Sequence, residues 1–181
     1  MFLFAGLGNP GQKYNMSRHN VGFMAVDLFA DLYNFPPWQK RAGSLQTTGQ
    51  LDRCKIILLK PQSYMNKSGL PVAEVARFHK IPTNHIFIFH DELDLAAGRM
   101  RVKQGGGHGG HNGLRDIDRH LGQDYWRIRI GIGRPDNPKM DVKSWVLADF
   151  TKIETSGWLR NLLGAISDEA PRLTTHDDSG F

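Results

Sequence analysis

The chain has 181 residues, 40% of them hydrophobic and 23% charged, which excludes disordered, collagen-like and fibrous classes and suffices for one domain, expected to span 1–181. A single cysteine, Cys54, excludes intramolecular disulfides and cysteine-rich zinc sites, so a reducing, cytoplasmic setting is expected. The net charge of +5 permits a polyanionic partner, and apolar runs such as Ile56–Leu59 fall far short of the roughly 20 residues of a membrane span, so neither membrane association nor export is expected.

In chain order, Met1–Leu7 is an apolar strand that ends in Gly6-Leu7-Gly8-Asn9-Pro10-Gly11, and Val21, Met24, Leu28, Phe29 and Leu32 carry the spacing of a helix from Val21 to Tyr33. After the Pro36-Pro37 break, Ser44–Leu51 and Cys54–Leu59 read as a hairpin turned at Asp52-Arg53. A helix follows from about Gly69 to His79. Ile86-Phe87-Ile88-Phe89 is apolar throughout, as a central strand buried on both faces is, and it delivers His90-Asp91-Glu92 to its carboxyl end. Arg99–Lys103 and Arg127–Ile132 are further strands, flanking a glycine tract and a helix near Gly113–Leu121. Leu159, Leu162, Leu163 and Ile166 mark an amphipathic helix, and the tail after Leu173 is polar and expected to fray. Strands alternating with helices, plus one hairpin, predict an α/β fold: one domain with a twisted mixed β-sheet flanked by helices.

The positive charge is concentrated. Between Leu95 and Arg134 lie eight basic and three acidic residues, so this stretch holds the whole net charge, together with half of the 20 glycines. Arginines among glycines suit phosphate, because the backbone can come close to the ligand where the charge is.

Gly6-x-Gly8-x-x-Gly11 matches a dinucleotide-binding fingerprint, but Pro10 and the polar stretch through Arg18 delay the helix to about Asn20, and no acidic residue ends a second strand. The loop from Asn9 to Asn20 reads instead as a wall of a site with His19 as general base, since an imidazole titrates near neutral pH. Asp91 is the candidate to orient it. Ligand crevices of open α/β sheets lie beyond the strands' carboxyl ends, where the loops after Leu7 and Phe89 face each other. The bland alternative has His19 capping its helix and Asp91 opening a turn. No Gly-x-Ser-x-Gly elbow is present and Cys54 opens an apolar strand, so activated water is expected rather than a covalent nucleophile. Asn66 and Asn112, each between elements, are candidate neutral donors, although helix capping is the commoner fate of such asparagines. His108-Gly-Gly-His111 with His90-Asp91 invites a metal reading, but two ligands split by two glycines are poorly preorganised; no metal is expected, and His111 reads as a substrate contact at the rim.

Taken together, the motifs resemble bacterial peptidyl-tRNA hydrolases. The resemblance rests on Gly6 to Gly11 with Tyr14 and Arg18-His19-Asn20, on Pro61 to Gly69 with Tyr64-Met65-Asn66, on His90 to Asp94, on Gly105 to Leu114, and on Arg127 to Pro135. It implies hydrolysis of the ester between a peptide and the 3′ ribose of tRNA, by a monomer without metal or cofactor. It also implies that His19 is the base and Asp91 its orienter. Asn9, Asn66 and Asn112 position peptide and water, while Tyr14, Asn20, Tyr64 and His111 line or support the site. Lys103 and Arg129 match the pair that grips a tRNA phosphate, in agreement with the charge map. After Phe150 the match weakens, and the acidic tail Thr174–Phe181 offers no basic cluster for tRNA. The rival reading is a non-catalytic RNA-binding protein on the same scaffold.

Overall fold

The computed structural model describes residues 1–175; part of the tail expected to fray, 176–181, lies outside it, and Thr174 and Thr175 continue a 3-10 turn. Seven strands form one sheet in the order β2-β3-β4-β1-β5-β7-β6. Its middle is parallel: β4 (Cys54–Pro61), β1 (Phe2–Gly6), β5 (Ile86–Glu92) and β7 (Trp126–Gly131) run the same way. The margins, β2 (Gln39–Arg41) and β3 (Ser44–Leu51) on one side and β6 (Met100–Gln104) on the other, are antiparallel. The expected mixed α/β sheet is thus observed, with the hairpin paired through Leu51 and Cys54.

Period-2 alternation distributes the strand side chains between two cores. Phe2, Phe4, Phe87, Phe89, Ile128 and Ile130 pack beneath α1 (Val21–Leu32). Leu3, Ala5, Ile57 and Ile88 pack beneath α2 (Gly69–Phe78) and α3 (Asn112–Leu121). The apolar runs of β1 and β5 are continuous because both their faces are covered. Short helices α4 (Val142–Leu147) and α5 (Lys152–Ser156) precede α6 (Trp158–Glu169), whose Leu159 and Ile166 join the α1-side core.

Gly6 at the end of β1 and Gly22 in the first turn of α1 serve packing. A Cβ on Gly6 would collide with the carbonyl of Gly22, and one on Gly22 with the carbonyl of Phe89, so α1 lies directly on β1 and β5. The chain leaves β1 for β4 on one side and, through α2, returns to β5 on the other. The strand order therefore reverses between β1 and β5, and there the carboxyl ends open a crevice.

Candidate active site

His19 sits in the 3-10 turn Arg18–Asn20 that leads into α1. Its neighbour Arg18 fixes that turn. The Arg18 guanidinium lies 3.7 Å from the centre of the Trp145 ring, bonds the carbonyls of Ala148 and Asp149, and pairs with Glu154 at 2.9 Å. Glu154 also closes the capping box of α5 with Thr151, so one buried cation ties the His19 turn to α4 and α5.

Asp91, 3% exposed near the end of β5, receives two imidazoles. His19 Nδ1 is 2.7 Å from Oδ2, and His111 Nε2 is 2.7 Å from Oδ1. A carboxylate only accepts, so both nitrogens carry their protons, and His19 is left with a lone pair on Nε2. The second bond is a finding. His111 is no rim residue but a largely buried partner of Asp91, and it also caps α3: its Nδ1 accepts from the backbone N–H groups of Gly113 and Leu114. The cap fixes the tautomer, because Nδ1 must present a lone pair and the proton must sit on Nε2. No pattern in the sequence announced a histidine as this helix's N-cap, where Asn, Asp, Ser and Thr are preferred.

Burial works against the imidazolium of His19, yet the charge of Asp91 and the hydrogen bond to it prevail and raise the pKa. Burial alone would raise Asp91; the charges and hydrogen bonds of His19 and His111 instead hold it well below the usual carboxylate range. His90, fully buried with Nδ1 donating to the Asp91 carbonyl, is lowered to about 3 by burial and by His111 and stays neutral.

The dyad opens into a cavity of about 860 Å³ that Asn9, Tyr14, Tyr64, Asn66, His111 and Asn112 help to line. Asn9 is clamped. Its N–H donates to Asn20 Oδ1, its carbonyl accepts from Asn20 Nδ2, and its Oδ1 accepts from the Met65 N–H, which leaves its own Nδ2–H pair to donate. Asn20, 1% exposed, is absent from this lining and acts by holding Asn9. Asn66 and Asn112 are exposed, and neither is the cap of its helix, since Ser68 precedes α2 and His111 precedes α3. Tyr64 has φ of 70°, a sparsely populated conformation for a non-glycine residue, at the rim beside Asn66. Val142, Val146 and Leu147 of α4 form a wall that the periodicity did not announce.

His19, Asp91 and His111 bring one ligand atom each within 4.8 Å of one another. A cation shared there would need the Nε2 lone pair of His111, and so a proton on Nδ1 facing two backbone N–H donors. The donor set is turned the wrong way for a metal. His108, the other histidine of the tract, uses Nδ1 to accept from Gly110 N–H.

Lys103 on β6 and Arg129 on β7 are not part of the cavity lining, although Arg129 sits beside His90 in the sheet. The register pairs Lys103 with Arg127 and Arg101 with Arg129, so Lys103 and Arg129 are diagonal neighbours on one face. Arg129 Nε is held by Glu92 at 2.9 Å. Arg127, counted with the basic cluster in the sequence, contributes nothing to the surface. It is 2% exposed and binds Asp118, the Tyr125 hydroxyl and the Gly105 carbonyl beneath the glycine tract.

The sequence profile of a family described as peptidyl-tRNA hydrolase matches residues 3–179. The chain is 55% identical over 181 residues to the peptidyl-tRNA hydrolase of Rhodospirillum centenum, covering 100% of this chain and 79% of that protein. It is 50% identical over 181 residues to that of Mesorhizobium japonicum, covering 100% and 75%. Among solved structures, peptidyl-tRNA hydrolase from Acinetobacter baumannii is similar with a TM-score of 0.91 and 38% identity, over 97% of this chain and 89% of that one.

Proposed function

The chain belongs to the peptidyl-tRNA hydrolase family and hydrolyses peptidyl-tRNA, and we propose that His19 is the general base of that reaction and Asp91 its orienter. One observation carries the assignment: the bond from Nδ1–H to Asp91 leaves Nε2 of His19 as an acceptor in the cavity wall. Nε2 takes a proton from water as the water oxygen bonds the ester carbonyl carbon. The imidazolium that forms is favoured by the Asp91 carboxylate 2.7 Å away. Amide donors of Asn9, Asn66 and Asn112 stabilise the oxyanion and hold the peptide backbone. Collapse expels the ribose 3′ oxygen, which takes the proton back from His19, giving tRNA and a free peptide. Tyr14, Tyr64 and His111 complete the lining, and Asn20 supports it through Asn9.

Lys103 and Arg129 grip a tRNA phosphate, the lysine as a point charge and the arginine as a fork whose orientation Glu92 sets. The protein acts as a cytoplasmic monomer, a single catalytic domain without metal or cofactor and without membrane association. Among the described residues no helix is long and apolar enough to cross a membrane. The RNA-binding alternative is not favoured, because binding alone requires no oriented base. The direct test is release of deacylated tRNA from an N-blocked aminoacyl-tRNA. His19→Ala should keep the fold and lose on the order of 100- to 10,000-fold in kcat. Unchanged turnover would move the base elsewhere.

A further inference from the structure

We propose that the peptide leaves the catalytic cavity over Asn9 and lies in a second cavity of about 800 Å³, between the loop from Asn9 to Met16, α1 and the end of the β3–β4 hairpin. The proposal rests on the catalytic reading above, which places the ester carbonyl beside His19. Asn9 lines both cavities, so the residue assigned to the peptide is common to the two.

The lining suits a chain of variable sequence. Met24, Asp27, Leu28 and Asp31 fall at the i, i+3, i+4, i+7 positions of α1 and present one stripe to the cavity. Thioethers of Met16 and Met24 adapt to different side chains, while the amides of Asn15 and Gln62 can bond a peptide backbone. Such surfaces bind many sequences rather than one.

Charge decides between peptide and RNA. Lys60 is the cation of this lining, and Asp27 holds its Nζ at 2.6 Å while the Trp38 ring lies 4.4 Å away. Asp31 then leaves an excess of negative charge, which disfavours phosphate. The basic side chains of β6 (Arg101, Lys103) stand on the far side of the β1–β5 crevice from β4. A substrate with a polyanion on one side of its ester and a peptide on the other matches that polarity in one direction only.

Two variants outside the catalytic machinery test the path, each assayed on N-acetylaminoacyl-tRNA and on hexapeptidyl-tRNA. Leu45→Trp, which fills the cavity, should raise KM for the hexapeptidyl substrate about fivefold and change kcat/KM for the short substrate less than about twofold. Asp31→Lys, at an exposed position with little folding risk, should lower KM for a glutamate-bearing hexapeptide and raise it for a lysine-bearing one, each by about threefold. Equal effects on both substrate lengths, or no effect of either variant, overturn the proposal. His19-dependent cleavage of the short substrate would persist in that case, so failure of this path is distinguishable from failure of the catalytic assignment.

Discussion

Asp91 is the residue on which two tautomers depend. Changing it to asparagine leaves one accepting oxygen and one donating amide for two imidazole N–H groups. His111 cannot adapt, because its Nδ1 caps α3. The single oxygen of Asp91→Asn therefore goes to His111, and His19 faces an N–H donor. It must then turn its Nδ1 lone pair to that donor and carry its proton on Nε2, where no base remains. Asp91→Asn should lose roughly 100-fold or more in kcat. Adding His111→Asn, which can still cap a helix, frees the amide oxygen for His19, so the double variant should regain about tenfold over Asp91→Asn alone. Simple additivity of the two losses would break the argument. The pH profile gives a second measurement with a definite sign. His19 is raised because Asp91 outweighs burial; without that charge burial acts alone and the pKa falls. The acid limb of kcat/KM should thus move to lower pH in Asp91→Asn while the plateau drops.

At the scale of elements, the close seat of α1 makes Gly22 critical. Gly22→Ala pushes a methyl into the Phe89 carbonyl and the Leu7 backbone, neither of which can yield without shifting β1 or β5. We expect a loss of about 2 kcal/mol or more, a drop of roughly 4–8 °C in Tm for a domain this size. Activity should fall further than folding requires, since α1 carries the His19 turn at its start and β5 carries Asp91. A calorimetric Tm unchanged within about 1 °C would show that the helix can lift at little cost. The elements that the sequence predicts are β1, β5, the hairpin, α1, α2, α3 and α6, together with the strands β6 and β7 on either side of the glycine tract and α3. β2 escapes because its three residues, Gln39, Lys40 and Arg41, are all exposed and carry no alternation. α4 and α5 are too short for a helical period to show, although Thr151 and Glu154 stand at capping-box spacing. The His19–Asp91 pair was legible because strand ends converge at a reversal of strand order. The Arg18 contacts with Trp145 and Glu154, and the bond from His111 to Asp91, were not. They join residues 127, 136 and 20 positions apart through tertiary packing that no local pattern records.

Over the whole molecule, the pair proposed to grip tRNA stands beside the catalytic cavity rather than in its lining: Asp91 lies near the end of the central strand β5, Arg129 on the neighbouring strand β7, and Lys103 on the edge strand β6. Phosphate contacts release counterions, so Lys103→Ala should weaken tRNA binding and flatten its log–log salt dependence by up to about one unit. Arg129→Ala should cost more than Lys103→Ala. Besides losing a cation, it leaves the Glu92 carboxylate without its 2.9 Å partner, a negative charge where the phosphate is to sit. The variant Arg129→Ala/Glu92→Gln should therefore bind tRNA more tightly than Arg129→Ala alone. A minimal substrate, an N-blocked aminoacyl ester on a short 3′ oligonucleotide, isolates the chemistry. On it Lys103→Ala and Arg129→Ala should match wild type, whereas on full-length peptidyl-tRNA they should show raised KM with kcat nearly unchanged. Equal losses on both substrates would place these side chains in the catalytic cavity's support instead. An unimproved double variant would mean that Glu92 does not face the phosphate, leaving Lys103 to act through a different contact.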